Sequence, residues 1–160
     1  MPTSDRTTIK AAVDEFVSKL RTNLVADPPT SAKPFRRAEV GATGVEEYAR
    51  PFLSVLIAAA RPIGVVNDDK VIEVTVTVRV VVDVTQVDPH DALLDTVGAL
   101  DDYLDGIIDT GVIEGAEGFD DRAWTFDYPR SSAGARVAVA TAKQTFIVKV
   151  ERQQNRNPAP

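Results

Sequence analysis

The residue types that most often carry nucleophilic and metal chemistry are scarce in this chain, which has one histidine and no cysteine. Without cysteine there is no thiolate ligand, no cysteine nucleophile and no disulfide framework. The single histidine, His90, follows Pro89 near the start of a predicted helix, so we expect a solvated residue of the first turn. No segment matches a phosphate-binding loop, a dinucleotide-binding turn or a calcium loop. The sequence therefore predicts no enzymatic activity, no cofactor and no metal site.

Carboxylates are the one reactive group that is concentrated. Residues 80–121 contain twelve Asp and Glu and no Lys or Arg, while the net charge of the whole chain is −6. Asp91, Asp95 and Asp102 follow helical spacing, which fits a solvated helix face better than a cation site. Separate acidic and basic regions favour head-to-tail contact between copies. An acidic stretch also keeps a protein soluble, so two interpretations of this region stay open.

Two segments have the apolar spacing of an amphipathic α-helix. In the first, apolar residues recur from Ile9 to Leu24, and Asp27-Pro28-Pro29 ends the helix because proline cannot continue it. The second begins at Pro89, with Asp88 as its N-cap. It contains like-charged pairs four residues apart, such as Asp101 and Asp105, which destabilise an isolated helix. A helix that breaks local rules in this way invites a functional explanation.

Two predicted strands lie between these helices. Phe52–Ala60 is short and apolar enough to be buried on both faces, and Asn67-Asp68-Asp69 reads as a turn. From Lys70 to Thr85, valine or isoleucine alternates with polar residues, with Val81 as the exception, which is typical of a strand with one buried face. At about 3.3 Å per residue this strand would span about 50 Å. We therefore expect it either to bend at a bulge or to project beyond the core and pair with another chain.

Two further strands follow the second helix. Trp124, Phe126 and Tyr128 alternate with smaller or polar residues, so three aromatic rings share one face of a short strand. We expect these rings in the core, because aromatic side chains bury large areas, and an aromatic docking face is the alternative. The last predicted strand runs from about Arg136 to Glu151, with its alternate residues from Ala138 to Val150 pointing inward.

The rest of the chain is assigned to connections. Residues 26–44 lack periodicity and contain three prolines and two glycines, which predicts a long loop. It is either a plain surface loop or a partner-binding arm, and we prefer the arm because Phe35 and Val40 would otherwise be exposed without purpose. Residues 1–152 are predicted to form one α+β domain, and residues 153–160 a loose tail. No signal peptide and no apolar run of membrane-spanning length are visible. The predicted partner or inter-subunit contacts are Phe35, Arg36, Arg37, Arg79 and Arg152.

The order of elements resembles that of the tail terminator proteins of long-tailed bacteriophages. The segments that carry the likeness are VIEVTVTVRVVVDVTQ (71–86), DPHDALLDTVGALDDYLDGI (88–107) and AWTFDYPRSSAGARVAVATAKQTFIVKVE (123–151). Together they cover about 40% of the chain. The likeness is one of pattern and order and contains no diagnostic motif. It implies a small mixed, mainly antiparallel sheet of about four strands, with two helices packed on one face.

The same resemblance implies a function. Proteins of that family form rings, typically hexamers, that cap the tail tube and contact head-completion or neck proteins, without enzymatic activity or cofactor. The expected partners are thus copies of this chain, a tail-tube protein and a neck protein, in a virion assembled in the host cytoplasm, with no membrane contact. DNA would pass through without specific binding, because an acidic channel repels it. The expected channel-facing residues are Asp101, Asp102, Asp105, Asp109, Glu114 and Glu117.

Other classes of protein remain as alternatives to a tail terminator. Another neck or tail-completion protein of a phage would share these features. A small-molecule-binding domain would place its ligand between the aromatic strand, residues 124–128, and a helix. A hydrolase that uses its carboxylates is the least favoured alternative, because nothing indicates a site that would separate the pKa values of two of them.

Overall fold

The structure is a computed structural model, and it describes residues 3–41, 43–45, 48–84, 89–109, 122–129 and 136–150. The elements, in chain order, are α1 (Thr3–Leu24), β1 (Arg37–Val40), β2 (Phe52–Val66), β3 (Asp69–Asp83), α2 (Pro89–Asp109), β4 (Thr125–Asp127) and β5 (Val137–Val150). The strands form one sheet in the order β1-β2-β3-β5-β4, in which only β1 and β2 run parallel. The fold is α+β with a mixed, mainly antiparallel sheet, as predicted, and it has five strands where about four were expected.

The long central strand β3 is paired on both sides. It is antiparallel to β2 from Asp69 to Val81 and to β5 from Lys70 to Asp83. The predicted strand is therefore confirmed, but the expectation that it bends at a bulge or projects to pair with another chain is wrong. The register shifts occur in β2 instead, between Ile57 and Ala59 and between Pro62 and Gly64. The sequence pattern did not show that β2 and β5 are the neighbours of β3. Their pairing satisfies the hydrogen-bonding groups of the β3 backbone within one copy.

The hairpin between β2 and β3 is closed by two residues. Asn67 and Asp68 have φ angles of 51° and 68°, the left-handed region that a tight two-residue hairpin turn requires and that Asn and Asp tolerate. The predicted turn is thus confirmed, and β2 continues beyond the predicted Ala60 to Val66. The expectation that this strand is buried on both faces holds only for Phe52–Val55, because from Ile57 onward almost every residue is exposed.

Both helices lie on one face of the sheet, which we call the covered face. The two predicted apolar stripes are confirmed, and they pack on the alternate valines of β3 and on Ala138, Ala140 and Phe146 of β5. The rings of Phe16 and Phe146 are 5.8 Å apart between centroids. The helices contact each other at Tyr103, whose hydroxyl donates to the Lys19 carbonyl at 3.2 Å and accepts from Asn23 Nδ2 at 2.8 Å. Burial raises the pKa of the Tyr103 hydroxyl, against the opposing effect of the Asn23 hydrogen bond.

The other face, which we call the open face, has only a small apolar cluster. Phe52, Val81 and Val139 are buried there, and Val45 and Tyr48 pack over them. This cluster explains why Val81 breaks the alternation of β3, since a valine is needed under the segment that precedes β2. Of the two helices described, neither is both long and apolar enough to cross a lipid bilayer.

The segment predicted as a loop, residues 26–44, contains a strand. β1 pairs in parallel with the first four residues of β2, and an isolated bridge joins Val25 to Phe35. The side chain of Phe35 is fully buried in the main core, so the premise that it is exposed is wrong. Val40, at 42% exposed, fits the expectation. The three prolines and two glycines of this segment suggested a loop throughout. The four-residue strand was not predicted because it depends on pairing with a distant segment rather than on its own pattern.

Candidate functional site

The densest polar cluster of the described chain surrounds Arg122, just before β4. Its side chain is 4% exposed. The guanidinium donates to Asp101 Oδ1 at 2.7 Å, to the Asp101 carbonyl at 3.1 Å and to Gln144 Oε1 at 2.9 Å, and it also contacts Asp105 Oδ1. Trp124 Nε1 donates to the same Asp101 oxygen at 3.0 Å. The cluster joins α2 to the segment before β4 and to the buried Gln144 of β5.

The electrostatics of this cluster stabilise the ionised carboxylate of Asp101. Burial raises the pKa of Asp101, but the hydrogen bonds from Arg122 and Trp124 and the positive charge of Arg122 outweigh it, so the pKa lies below the ordinary value. A carboxylate held in this way is a poor general acid and a weak base at neutral pH. The arrangement therefore fixes α2 against the sheet and does not prepare a proton transfer.

The cluster also explains the like-charged pair that the sequence left unaccounted for. Asp101 and Asp105 lie one turn apart on α2, and Arg122 lies between their carboxylates. Each carboxylate is attracted to the guanidinium that the two share, and this attraction offsets the repulsion between them. Arg122 is the first basic residue after the acidic stretch 80–121. Its position after the acidic stretch was the only sign of this contact in the sequence, because a sequence does not show which basic residue pairs with which acidic residue.

The predicted channel-facing acids are placed only in part. Asp101 and Asp105 are occupied by Arg122, and Asp102 is exposed on α2. The side chain of Asp109, and Glu114 and Glu117 entirely, lie outside the described residues. Whether these six residues line a channel stays a prediction.

The predicted contact arginines lie near one corner of the sheet, and each of those described has a partner within the chain. Arg36 donates to Asp27 Oδ1 at 3.1 Å and to the Arg50 carbonyl at 3.1 Å. Arg37 pairs with Glu39 at 3.1 Å and lies 4.7 Å above the ring centre of Tyr48. Arg79 donates to the Gly44 carbonyl at 2.9 Å. Arg152 lies outside the described residues, and a role of these arginines in contacts with other chains stays a prediction.

The described residues form an open cavity beside β4 but no cluster of metal ligands. No three His, Asp or Glu side chains of the described ranges lie close enough together to hold a metal ion. The His90 ring packs edge-on against Tyr128, with 5.9 Å between ring centroids. A cavity of about 350 Å³ opens beside β4 and β5 and is lined by Thr77, Ala123, Thr125, Thr141, Ala142 and Lys143. None of these lining residues is aromatic, so this cavity is not the ligand site that the aromatic strand would form.

Of the three aromatic residues on β4 and its flanks, only Trp124 packs against the core. Trp124 is partly buried against the core, but Phe126 and Tyr128 are 43% and 44% exposed, so their predicted burial is wrong. Phe126 pairs with Ala140 at the edge of the sheet, where the strand is only three residues long. Among the described residues, no element covers the outer side of these two rings. The structure thus favours the alternative, an aromatic surface, for these two rings.

Exposed apolar side chains occur at both edges of the sheet. At one edge, Ile57, Ile63, Val65 and Val66 of β2 are 46–54% exposed, and they are spread along the strand, with the adjacent Val65 and Val66 pointing to opposite faces. At the other edge, Leu94, Phe126 and Tyr128 are 43–55% exposed. Leu94 lies one turn after His90 and two turns before Asp101, on the flank of α2 that faces β4. β2 beyond Val55 and β4 are at opposite edges of the sheet.

Two strand edges are also unpaired within the described chain. β1 covers β2 only from Phe52 to Val55, and β4 covers β5 only from Val139 to Thr141. The outer edges of residues 57–66 and of residues 142–150 therefore carry backbone groups without a neighbouring strand among the described residues. A scan against protein-family models and a search of curated proteins both find no match. The described chain thus presents exposed apolar residues at both edges of the sheet, two partly unpaired strand edges and the ion cluster of Arg122.

Proposed function

We propose that this protein is a structural subunit that assembles with copies of itself and with other proteins. The single observation that carries the proposal is the exposure of large apolar side chains at both edges of the sheet. Isolated exposed apolar residues are ordinary on a monomer, but a strand that exposes four aliphatic side chains, opposite two exposed aromatic rings, is typical of a protein that buries them against a partner. The acids of α2 whose side chains are described either pair with Arg122, as Asp101 and Asp105 do, or are exposed at the surface. This arrangement is compatible with a role without catalysis.

The assembly that we propose is the ring that caps the tail tube of a long-tailed bacteriophage and joins the tail to the head. The resemblance in the order of elements is the reason for this choice. The fold agrees in class with the fold that the resemblance implies. Copies joined head to tail by unlike surfaces form closed rings when the rotation between neighbours closes, and unlike exposed apolar residues at opposite edges are compatible with such contacts. The partners would be other copies, the tail-tube protein and a head-completion or neck protein.

The acidic flank of α2 fits a channel through which DNA passes. Asp91, Asp95 and Asp102 are exposed, and α2 carries no lysine or arginine. Duplex DNA is a dense line of negative charge, so an acidic wall repels it and leaves it free to move. We propose this flank as the channel-facing surface, with Asp101 and Asp105 contributing by holding the helix in place through Arg122. The protein would act in the virion after assembly in the host cytoplasm.

Two alternatives remain distinct from this proposal. Another neck or tail-completion protein would need the same self-association and would differ in where it binds. A small-molecule-binding domain would need an enclosed site between the aromatic strand and a helix. The exposure of Phe126 and Tyr128, and a cavity that lies among threonines and Lys143, favour assembly over ligand binding.

Electron microscopy with the tail-tube protein of the same genome tests the proposal. We expect rings of this protein at one end of the tubes, and tubes of defined length when the protein is present during assembly. A neck protein that is not a terminator would bind a head-side complex and leave tube length uncontrolled. The proposal is wrong if the protein leaves tube ends bare and tube lengths unchanged at saturating concentration.

A further inference from the structure

The outer edge of β5, residues 142–150, lacks the features that obstruct the opposite edge of the sheet. On β2, Pro62 has no backbone N–H and the register shifts at two places, and both features hinder pairing with a further strand. β5 keeps one register with β3 from Val137 to Val150, and its residues 142–150 contain neither proline nor glycine. We infer that this edge pairs with an extended acidic segment of another protein. The inference rests on the proposed assembly with other proteins and adds the chemistry of one partner.

The register shows which backbone groups of β5 point outward. The Val84 N–H donates to the Arg136 carbonyl at 3.2 Å, so the backbone of Arg136 bonds on the β3 side. In an antiparallel ladder, both backbone groups of a residue point to the same side, and the side alternates along the strand. Even-numbered residues of β5 therefore bond to β3, and odd-numbered residues point to the outer edge. Beyond Thr141, where the pairing with β4 ends, the outward residues are Lys143, Thr145, Ile147 and Lys149.

One outward carbonyl is bonded by a side chain. Gln144 Nε2 donates to the Thr145 carbonyl at 3.0 Å, while Gln144 Oε1 accepts from Arg122 at 2.9 Å. The Gln144 amide thus supplies a donor that a neighbouring strand supplies elsewhere in a sheet. An incoming strand would replace this side-chain bond with backbone pairing, which gives such contacts most of their affinity.

Two lysines on this edge determine the chemistry of the partner. Lys143 and Lys149 are exposed on the open face, and Lys143 has no ion pair within the described chain. Side chains at paired positions of neighbouring strands lie within reach of each other, and opposite charges there stabilise the pairing. A segment with Asp or Glu at the spacing of these lysines would place its carboxylates beside both of them. The complementary charge therefore favours an acidic strand.

The same lysines disfavour a second copy of β5 as the occupant. Two such edges, paired antiparallel so that all of their outward residues meet, bring Lys143 of one copy opposite Lys149 of the other. Like charges directly opposite each other destabilise a strand pair, and lysine at a sheet edge is a common means of preventing self-pairing. The edge therefore discriminates against its own copy and for a strand of opposite charge.

Amide hydrogen exchange with synthetic peptides tests the inference. The probe is the acetylated and amidated peptide TEVTVTVET, whose glutamates have the spacing of the two lysines, and its counterpart is TKVTVTVKT. We expect the glutamate peptide to bind saturably, with a Kd of about 1 mM or below. At about ten times its Kd, it should slow exchange of the outward amides of residues 143, 145, 147 and 149 about tenfold. The even-numbered amides, which already bond to β3, should change much less.

Charge reversal separates the contribution of the lysines from that of the backbone. The wild type should bind TEVTVTVET about fivefold or more tightly than TKVTVTVKT, and K143E with K149E should reverse this preference. The matched control is K33E with R61E, which changes the net charge equally at exposed sites away from β5 and should keep the wild-type preference. Circular dichroism checks that each variant folds. A glutamate peptide N-methylated at the amides that face β5 should not bind, because it lacks the donors for backbone pairing.

Three results would overturn the inference. The first is no saturable binding of the glutamate peptide up to about 10 mM, and the second is equal binding of the two peptides by the wild type. The third is slow exchange of the outward amides in the free protein, because the edge would then already be paired within the chain or between copies. In each case, ring formation on tail tubes would still support the proposed function. Bare tube ends together with binding of the glutamate peptide would instead contradict the ring and leave the acidic partner in place.

Discussion

Replacing Arg122 with methionine removes the guanidinium that Asp101, Asp105 and Gln144 share. Methionine keeps much of the length of the side chain, so the change acts mainly on charge and hydrogen bonding. In the native protein the side chain of Arg122 is 4% exposed and bonds to α2, and through Gln144 to β5. We expect the free energy of unfolding to fall because three acceptors lose their donor at once.

The magnitude follows from the exposure of the groups that remain. Removing one partner of a buried ion pair costs about 3–5 kcal/mol when the other charge stays buried. Asp101 and Asp105 are 37% and 53% exposed, so water can hydrate them, and the loss falls to about 1–2 kcal/mol. Gln144 is 1% exposed and adds about 1–3 kcal/mol as an acceptor without a donor. The total of about 2–5 kcal/mol corresponds to a fall in Tm of about 4–20 °C for a chain of this size.

Urea titration measures this change. Trp124 is the only tryptophan, and its indole donates to Asp101, so its fluorescence reports on the cluster while circular dichroism follows the whole fold. The matched control is R61M, which removes an ion pair whose arginine is 72% exposed and should change stability by at most about 1 kcal/mol. If R122M and R61M lower stability equally, the cluster does not hold α2 to the sheet and the reasoning is refuted.

Two further predictions concern pH and the core. Because the folded pKa of Asp101 is depressed, the stability it contributes is present above its ordinary value of 3.8 and is lost as pH falls through the folded pKa. Urea titrations from about pH 7 to about pH 3 should therefore show a shallower loss of stability for D101N than for the wild type, and parallel losses would contradict this. F35A should lower the free energy of unfolding by about 3–5 kcal/mol, because the ring is fully buried. V40A, at an exposed position of the same segment, should change it by less than about 0.5 kcal/mol, and similar small values for both would mean that Phe35 is not a core residue.

The elements with a regular period were predictable from sequence. The two helices, the alternating strand β3 and the final strand β5 each bury a face whose spacing can be read directly from the chain. Asn67 and Asp68 marked the hairpin because few residues accept left-handed backbone angles. These features are local, so neighbouring residues carry enough information.

The remaining features depend on partners that are distant in sequence. β1 is four residues long and exists because it pairs with β2, so its own pattern is uninformative. Phe126 looked like a core residue from its type, yet its strand is at the sheet edge beside α2 and leaves the ring exposed. The contacts of Arg122 with Asp101 and Gln144 span about twenty residues in either direction, and sequence spacing does not encode them. The predicted strand ended at Ala60, and neither its continuation to Val66 nor the exposure of residues 57–66 was predicted, because burial depends on which distant elements cover the sheet.

The position of β3 between two partners has a consequence for synthesis. One neighbour, β2, precedes it in the chain, but the other, β5, is the last element described, so β3 is translated long before its second side can be satisfied. A nascent chain in which β5 has not yet been translated exposes the valine-rich edge of β3, whose fourteen positions pair with β5 in the folded protein. Contacts between segments so far apart in sequence form slowly. The sheet therefore cannot be completed until β5 has been translated, and any product that lacks β5 exposes an unpaired edge of β3 that is prone to aggregation.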